Sequence, residues 1–557
     1  MTRFSVWRNF SEVLILVAIL GGSTSHAQTL PEFKSTLFAG SGVCARCHFA
    51  LQDTAGNDVS MDRDWRSTMM AHSAKDPFFR AKIRSEIVRF PHLKSVIENK
   101  CLTCHTSMAR TQAAADNLPI AFFEDGFLDP AHSLHTMALD GVSCTLCHQI
   151  LEQQPGEQRF SGSYLIDLLK SAPDRTIHGP YPNPFTNNMR LNAGFTPVHA
   201  PHIAESNLCG TCHVLYTPVL NETGEIVGEF PEQTIYLEWL HSRYAKEGEE
   251  TRSCRDCHMP PAAGGVVISQ APRFLSPRDP FSRHHFVGGN APILAIFRSY
   301  WEELSGTASR EQLQATLDRT VEQLETRTAT MEITDVRIIG NFLEVDLQII
   351  SNVGHKFPAG FPSRRAWVHF IARDNIGNVV FESGRFMADG RIQGNDADAN
   401  LQTFEPHREI ITSPDQVPIY EGIMQDTKGN VTYTLLSASS YAKDNRLLPH
   451  GFDPTSASAD IAAIGDVSRD ADFSGGGDRI RYRIPLSGES GPFAVEAELL
   501  YQTIAYPFLA DLAKDDNLEY LQLAGYYEEA SPKAVLIDHA VREGIFPDTP
   551  IPDWPLR

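Results

Sequence analysis

All ten cysteines of the 557-residue chain fall in one repeated pattern, C-x-x-C-H. The five copies read CARCH, CLTCH, CTLCH, CGTCH and CRDCH, so every pair of cysteines is followed at once by a histidine. Two thiols three positions apart on a tight turn can form thioethers with the two vinyl groups of one porphyrin, and the adjacent imidazole can then bind the iron. The pattern therefore predicts five covalently attached haems c.

This interpretation assigns fifteen residues. The predicted attachment cysteines are Cys44, Cys47, Cys101, Cys104, Cys144, Cys147, Cys209, Cys212, Cys254 and Cys257. The predicted proximal iron ligands are His48, His105, His148, His213 and His258.

Three other uses of paired cysteines fit the pattern less well. Zinc sites also use C-x-x-C, but they do not need a histidine directly after it. Thioredoxin-like dithiols occur singly, in a βαβ context. An exported chain can form disulfides, yet structural disulfides would not repeat one short spacing five times. Haem attachment is thus favoured over zinc binding and over disulfides.

The second axial ligand of each iron decides the chemistry. A second histidine gives a low-spin haem suited to electron transfer, whereas an open position leaves room for a substrate. Ten histidines outside the motifs lie between residues 28 and 290, twice the number needed. The predicted distal ligands are His72, His135, His202, His241 and His284, and the first alternatives are His178 and His285.

Local patterns support some of these choices. His72 lies in a helical pattern over residues 65–87, and His241 lies in a second one that leads to the fifth motif. His284 stands in the phrase RHHFVGGN, between an arginine and a Gly-Gly turn. We expect that turn to let the backbone pass close to a porphyrin.

The N-terminus predicts export. Arg3 and Arg8 precede the apolar run VLILVAIL at residues 13–20, and a small-x-small cleavage site follows at residues 25–27. Eight apolar residues are too few to span a bilayer, although an uncleaved anchor is the alternative. We therefore predict a periplasmic or cell-surface location, and no transmembrane span in the mature chain.

The rest of the chain contains no cysteine and has the patterns of a different architecture. Residues 293–304 and 309–327 are amphipathic helix patterns, and alternating strand patterns occupy 331–351, 365–384, 431–439, 479–487 and 493–503. Residues 506–527 and 532–544 are typical of closing helices.

These patterns predict an α+β fold with five segments. A mostly helical and loop pentahaem domain is followed by an antiparallel β-sandwich with closing C-terminal helices. The predicted boundaries are a signal peptide at 1–27, the pentahaem domain at 28–290, a helical linker at 291–328, the β-sandwich at 329–505 and a C-terminal helical segment at 506–557.

Several phrases resemble those of exported multihaem cytochromes c related to the tetrahaem cytochrome of ammonia oxidisers. They are DGVSCTLCH, NLCGTCHVLYTP, FPEQTIYLEWLHSRY, SCRDCHMP and HHFVGGN, and the resemblance covers about residues 40–385. It implies stacked haem pairs, mostly bis-histidine ligation and often a C-terminal β-domain. It also implies that the histidine of the last phrase, His284 here, is a distal ligand.

The sequence alone leaves two alternative roles for each of two motifs in the second half of the chain. The phrase NVGHKFPAGFPSRR carries His355, which either caps a haem or forms a local hydrogen bond, and Arg364 and Arg365, which fit haem propionates. The acidic, glycine-rich run DVSRDADFSGGGD at 466–478 is a solvated loop or a weak calcium candidate, and its spacing does not match an EF-hand.

Composition and motifs together limit the function. The formal net charge of −21 disfavours binding to nucleic acid or to an anionic membrane and favours cationic partners. The sequence predicts a non-catalytic electron carrier between a donor and an acceptor protein, either free or within a membrane-associated redox complex. The alternative is a multihaem oxidoreductase with one open haem that acts on a small nitrogen or sulfur compound.

Overall fold

The computed structural model describes residues 29–546 except 155, 222 and 490. The predicted signal peptide therefore lies outside the described residues. No helix within the described ranges combines the length and the apolar character needed to cross a membrane.

The motif-bearing region is built from short helices joined by long loops. Its helices are α1 (Ser41–Ala45), α2 (Met61–Trp65), α3 (Pro77–Arg89), α4 (Lys94–His105), α5 (Ser107–Ala115), α6 (His135–Leu139), α7 (Cys144–Cys147), α8 (Asn187–Asn192), α9 (Ser206–His213), α10 (Ile235–Leu240) and α11 (Cys254–His258). Short 3₁₀ turns lie at Pro91–Leu93, Pro201–Ala204 and Arg243–Ala245.

Two small sheets interrupt these helices. Strands β1 (Arg175–Gly179) and β2 (Phe195–His199) pair in parallel, and β3 (Leu215–Leu220) and β4 (Ile226–Gln233) form an antiparallel hairpin. An apolar core that includes Phe122, Phe127 and Leu102 fills the space between α3, α4 and α6. Part of this region is thus stabilised by ordinary side-chain packing.

Two longer helices follow, and their caps explain where the second one begins. They are α12 (Ala291–Ser299), which runs into a π-helical turn at Trp301–Ser305, and α13 (Arg310–Arg327). Ser309 and Gln312 form a capping box, in which each side chain accepts a hydrogen bond from the other residue's backbone N–H. Leu317 and Leu324 of α13 belong to the same apolar core as the strands that follow, so the predicted linker is an integral part of that core.

The remaining elements form two packed sheets and their covering helices. The strands are β5 (Ala329–Ile339), β6 (Phe342–Ser351), β7 (Arg365–Arg373), β8 (Val379–Ser383), β9 (Ile410–Ile411), β10 (Ile419–Gln425), β11 (Ser440–Asp444), β12 (Gly477–Pro485), β13 (Phe493–Gln502) and β14 (Val535–Ile545). The helices are α14 (Asp396–Ala399), α15 (Tyr506–Leu512) and α16 (Leu518–Glu529), with 3₁₀ turns at Leu435–Ser437, Ala459–Ile461, Asp466–Arg469 and Ala513–Asp515.

One sheet has the strand order β11-β10-β7-β13-β14, with β8 also paired to β7, and the other has the order β5-β6-β12-β9. Side chains alternate on β12, where Ile480, Tyr482 and Ile484 are buried and the arginines between them are exposed. The ring of Tyr482 stacks on Phe370 of the facing sheet, with 3.9 Å between ring centres. The predicted α+β class with a β-sandwich is confirmed, and the β9–β12 pair is parallel.

Three local predictions were wrong. The segment 532–544, predicted as a helix, forms most of strand β14 from Val535 onward. Its apolar side chains Val535 and Ile537 alternate toward the core, and its backbone pairs with β13. Residues 431–439 contain a 3₁₀ turn instead of a strand. His72 lies in the turns between α2 and α3, because the Asp76 side chain caps Phe78 and Pro77 starts a new helix.

Candidate functional site

Each of the five C-x-x-C-H motifs folds as a helical turn. Motifs two, four and five end α4, α9 and α11, motif three forms α7, and motif one leaves the end of α1. In motifs one and three the backbone N–H of the histidine donates to the carbonyl of the first cysteine, at 3.1 Å in both. Residues three and four apart share one helix face, so each turn presents two thiols and one imidazole on the same side.

All ten cysteines lie in the described residues, and none of them forms a disulfide. Thiols of different motifs contact each other. A contact with the Cys144 thiol, together with burial, raises the pKa of Cys44 well above its usual range. The same causes raise the pKa of Cys212 beside Cys104 and of Cys209 beside Cys254.

These contacts define how the motifs are arranged. Motif one lies against motif three, and motif four lies against both motif two and motif five. The charge of Cys147 in motif three also raises the pKa values of Cys209 and Cys212 in motif four. In space, the motifs therefore follow the order one, three, four, five. Motif two branches from motif four, which is the centre of the arrangement.

Four of the five motif histidines have one ring nitrogen fixed by a backbone carbonyl. The Nδ1 atoms bond to carbonyl oxygens at 2.5–3.0 Å, and the pairs are His48 with Ile268, His105 with Ser73, His148 with His178 and His258 with Val287. A carbonyl only accepts, so Nδ1 carries the proton and Nε2 keeps its lone pair. This is the arrangement that orients a metal-binding histidine.

Burial keeps these rings neutral. Loss of solvation lowers the pKa of His105 and of His258 to about 4, against the raising effect of their backbone bonds. Burial also lowers the pKa values of His48, His148 and His213. A neutral imidazole is the form that binds a metal.

Two of the predicted distal ligands have the same hydrogen-bond pattern as the motif histidines. His135 Nδ1 bonds to the Phe127 carbonyl and His241 Nδ1 to the Leu237 carbonyl, both at 2.9 Å. His72 also bonds through Nδ1, to Thr68, but its Nε2 lies 2.6 Å from Ser305 Oγ. Ligation by His72 would have to replace that second bond.

His202 and its alternative His178 lie next to each other, with 4.9 Å between ring centres. His202 Nε2 bonds to the Ile150 carbonyl at 2.9 Å, so its free nitrogen is Nδ1. Within the described part of the chain, both ring nitrogens of His178 are buried without a hydrogen-bond partner. Buried polar atoms are rarely left in that state, so His178 has the stronger geometric case as a ligand.

The adjacent histidines His284 and His285 have different environments. His285 Nε2 lies 3.4 Å from the carboxylate of Asp64, which also receives two hydrogen bonds from Arg283. Neither His284 Nδ1 nor His285 Nε2 forms a hydrogen bond of normal geometry with a described residue, although both atoms are buried. Burial, then the charge of His148, lowers the pKa of His284 to about 4, and His48 contributes as well. His284 therefore lies near motifs one and three with a free ring nitrogen.

The loop after β6 brings His355 to the fifth motif. The ring centres of His355 and His258 are 6.2 Å apart, and the ring planes differ by 18°. His355 Nδ1 bonds to the Lys356 carbonyl at 3.0 Å, which leaves its Nε2 free like that of His258. His258 and His355 would be the two residues to hold one metal ion here, each through its free Nε2.

The residues present thus fit haem c. The turns offer paired thiols and oriented imidazoles, and unpartnered or free histidine nitrogens lie close to them. Arg364 is near His213, whose pKa it lowers after burial, whereas Arg365 is engaged by the Asp398 carboxylate at 2.8 Å. Of the two arginines singled out for propionates, only Arg364 lies beside a motif.

Comparisons with known proteins gave one structural likeness. A penta-heme cytochrome c552 from Thermochromatium tepidum aligns over 90% of this chain and 98% of that chain, with 17% identity and a TM-score of 0.47. No protein-family model matches the chain, and no curated protein sequence does.

Proposed function

We propose that this chain is a pentahaem c-type cytochrome that carries electrons between redox partners in the cell envelope. The observation that carries the proposal is the arrangement of the five C-x-x-C-H turns. Thiols of neighbouring motifs are in contact, and four motif imidazoles are held by backbone carbonyls with Nε2 free. Cofactors attached to such turns lie close enough together for electrons to pass among them.

Haem supplies reversible one-electron chemistry when it is bound. The role of this chain is to hold it. The ten cysteines form the thioether links, and the motif histidines bind from one side with a tautomer fixed by the carbonyls of Ile268, Ser73, His178 and Val287. Hydrogen bonds to those carbonyls also raise the basicity of the ligating imidazoles, and ligand basicity affects the redox potential of the iron.

The distal ligands follow from which ring nitrogens are free. We assign His355 to the fifth motif, opposite His258, and His284 to motif one or three. His135 and His241 keep their predicted roles, and His178 takes the place of His202. His72 is a sixth candidate that would exchange its bond to Ser305 for an iron.

The remaining parts of the proposal concern location and partners. An N-terminal signal peptide exports the chain to the periplasm, or to the cell surface, where haem c is attached. The net charge of −21 favours donor and acceptor proteins with basic docking surfaces.

Denaturing mass spectrometry of the purified protein tests the proposal. Covalent attachment predicts that the unfolded chain, without its signal peptide, keeps the added mass of five haems. A reversible redox titration of the same sample must return all of this haem to its starting spectrum. Release of haem on unfolding, or fewer than five haems in fully matured protein, would contradict it.

A further inference from the structure

A group of acidic side chains lies at the end of the β-sandwich, far along the chain from the haem motifs. The run 466–478 leaves the 3₁₀ turn Asp466–Arg469 and enters β12. One ligand atom each from His407, Asp470 and Asp478 lies within 4.8 Å of the others. Asp472 lies beside them, and its backbone N–H donates to Asp470 at 3.0 Å.

Asp478 lies at a position of β12 whose side chain points into the core. It faces inward with Ile480 and Tyr482 on β12, and it is only 1% exposed. One carboxylate oxygen accepts a hydrogen bond from Tyr420 at 2.6 Å. The other oxygen, Oδ1, is buried and forms no hydrogen bond of normal geometry with the residues that the structure describes. Burying an ionised carboxylate with an unpaired oxygen destabilises the folded state unless a cation binds to that oxygen.

Neighbouring negative charges further destabilise the ionised form of Asp478. Burial, then the charges of Asp470 and Asp472, raises the pKa of Asp478 to about 8. The charges of the same two carboxylates also raise the pKa of Glu409, whose side chain lies nearby. Two cations act on this group. The charge of Lys443 reaches His407, but its ammonium is bonded to Glu421 and to the Ile419 carbonyl. The charge of Arg479 lowers the pKa of Asp472, and its Nε donates to Gln348.

The role of His407 follows from its neighbour Asn445. The Asn445 Oδ1 atom accepts from the Glu421 N–H, and its Nδ2 donates to the Ile419 carbonyl, which fixes the amide orientation. Nδ2 also lies 3.1 Å from His407 Nδ1, so that nitrogen accepts and Nε2 carries the proton. His407 Nε2 then donates to Asp470 Oδ2 at 3.0 Å.

The available ligands are consequently oxygen atoms, with a histidine behind one of them. We propose that Asp470, Asp472 and Asp478 bind one Ca²⁺ ion that closes the end of the β-sandwich, with His407 holding Asp470 in place. Calcium takes carboxylate, carbonyl and water oxygens in flexible geometry, so an irregular glycine-rich loop suits it. A histidine that donates to a ligating carboxylate is a common outer partner of metal sites.

Calorimetric titration of the full-length holoprotein with CaCl₂, after treatment with EGTA, tests this site. The wild-type protein should bind one Ca²⁺ per chain, and Ca²⁺ should raise its Tm. D478N should weaken binding at least tenfold and lose the rise in Tm. D472N removes an exposed ligand and gives the same test if D478N does not fold. H407Q should weaken binding about tenfold.

The matched control is D466N, in the same loop, where an exposed carboxylate lies 3.9 Å from Arg469. It should bind Ca²⁺ like the wild type. Absence of Ca²⁺ binding, equal binding by D478N, D472N and wild type, or a preference for Zn²⁺ that H407Q abolishes would each overturn the proposal. The haem absorption spectrum should not change in any variant, which keeps this result separate from the electron-transfer proposal.

Discussion

At the scale of single residues, the hydrogen bond of one ring nitrogen decides what the other can do. Four of the motif histidines bond through Nδ1 to a backbone carbonyl, and so do His135, His241 and His355. His202 uses Nε2 instead, and His285 faces a carboxylate. The sequence could not predict which ring nitrogen of each histidine is bonded, because partners such as Ile150 and Asp64 are far away in sequence.

The pair His284 and His285 provides the sharpest residue test. H284A should convert one haem to high spin, because it removes a buried ring that lies near the imidazoles of motifs one and three. H285A should leave all haems unchanged, since that ring is held beside Asp64. EPR spectroscopy of the oxidised proteins measures the difference. A high-spin signal in H285A, with none in H284A, would show that the assignment is off by one residue.

His355 gives a second residue-scale prediction. H355A should convert one haem to high spin, because its ring lies 6.2 Å from that of His258 on the fifth motif. In a variant that also lacks Cys254 and Cys257, this high-spin signal should disappear together with the haem. H450A is the control, since His450 is a more exposed histidine of the same region. An unchanged spectrum in H355A would leave His355 with only its local bond to Lys356.

At the scale of elements, a buried ionic network joins the motif-bearing region to the β-sandwich. Lys356, the residue after His355, donates to Asp444 at 2.6 Å and to the Ala462 carbonyl. Its backbone N–H donates to Glu238 of α10, and Arg446 pairs with both Glu238 and Asp444. Since the network fixes the residue next to His355, it also fixes the approach of that histidine to the fifth motif.

Removing one charge of this network should lower the stability of the folded protein. Burial would raise the pKa of Asp444, but Arg446 and Lys356 hold it well below its usual range. Its stabilising contribution is therefore present above the ordinary pKa of 3.8 and is lost as the pH falls below it. D444N should lower the free energy of unfolding by about 3–5 kcal/mol, because buried Lys356 loses its carboxylate partner and buried Arg446 keeps only Glu238.

A guanidinium titration monitored by circular dichroism measures this loss. The control is R481Q, which breaks an ion pair with Asp346 in which the arginine side chain is 45% exposed. It should cost less than about 1 kcal/mol. Equal losses in D444N and R481Q would mean that the network adds no more stability than a surface pair.

The sequence predicted elements well where the side-chain pattern was regular. Strands β5, β6, β7, β8, β12 and β13 lie where alternation placed them, and α12, α13, α15 and α16 lie in predicted helical segments. Strand β14 was missed because its outer residues are mixed, and only pairing with β13 reveals its period. Strands β10 and β11 were missed because nearly every residue of β10 is buried, so no alternation is visible.

The same limit applies to the candidate site. The fifteen motif residues follow from local spacing, which folding into one helical turn preserves. Distal ligands depend on contacts between distant segments, as when a loop of the β-sandwich brings His355 to His258. The resemblance to relatives of the ammonia-oxidiser cytochrome stays a prediction, since no family model matches the chain.

At the scale of the whole molecule, motif four connects the others. It contacts motifs two and five and lies beside motif three. A double variant C209A/C212A removes the haem at this position and should split the remaining four into separated groups. Intramolecular electron equilibration after a flash of photoreduction should then show a new slow phase.

The matched control is C254A/C257A, which also retains four haems but removes the terminal motif. It should keep a single fast phase, because motifs one, three, four and two still form a continuous series. Mass spectrometry first confirms four haems in each variant. If the two variants equilibrate at the same rate, the contacts between motifs do not describe the path of the electrons.

Mössbauer spectroscopy of the oxidised, ⁵⁷Fe-enriched full-length protein tests the central claim most directly. The account predicts that all five haem irons are low-spin, since each has a histidine on both sides. A stable high-spin fraction of one-fifth or more would mean that at least one haem is open. The chain would then have the iron site of an oxidoreductase, and the proposal of a pure electron carrier would be wrong.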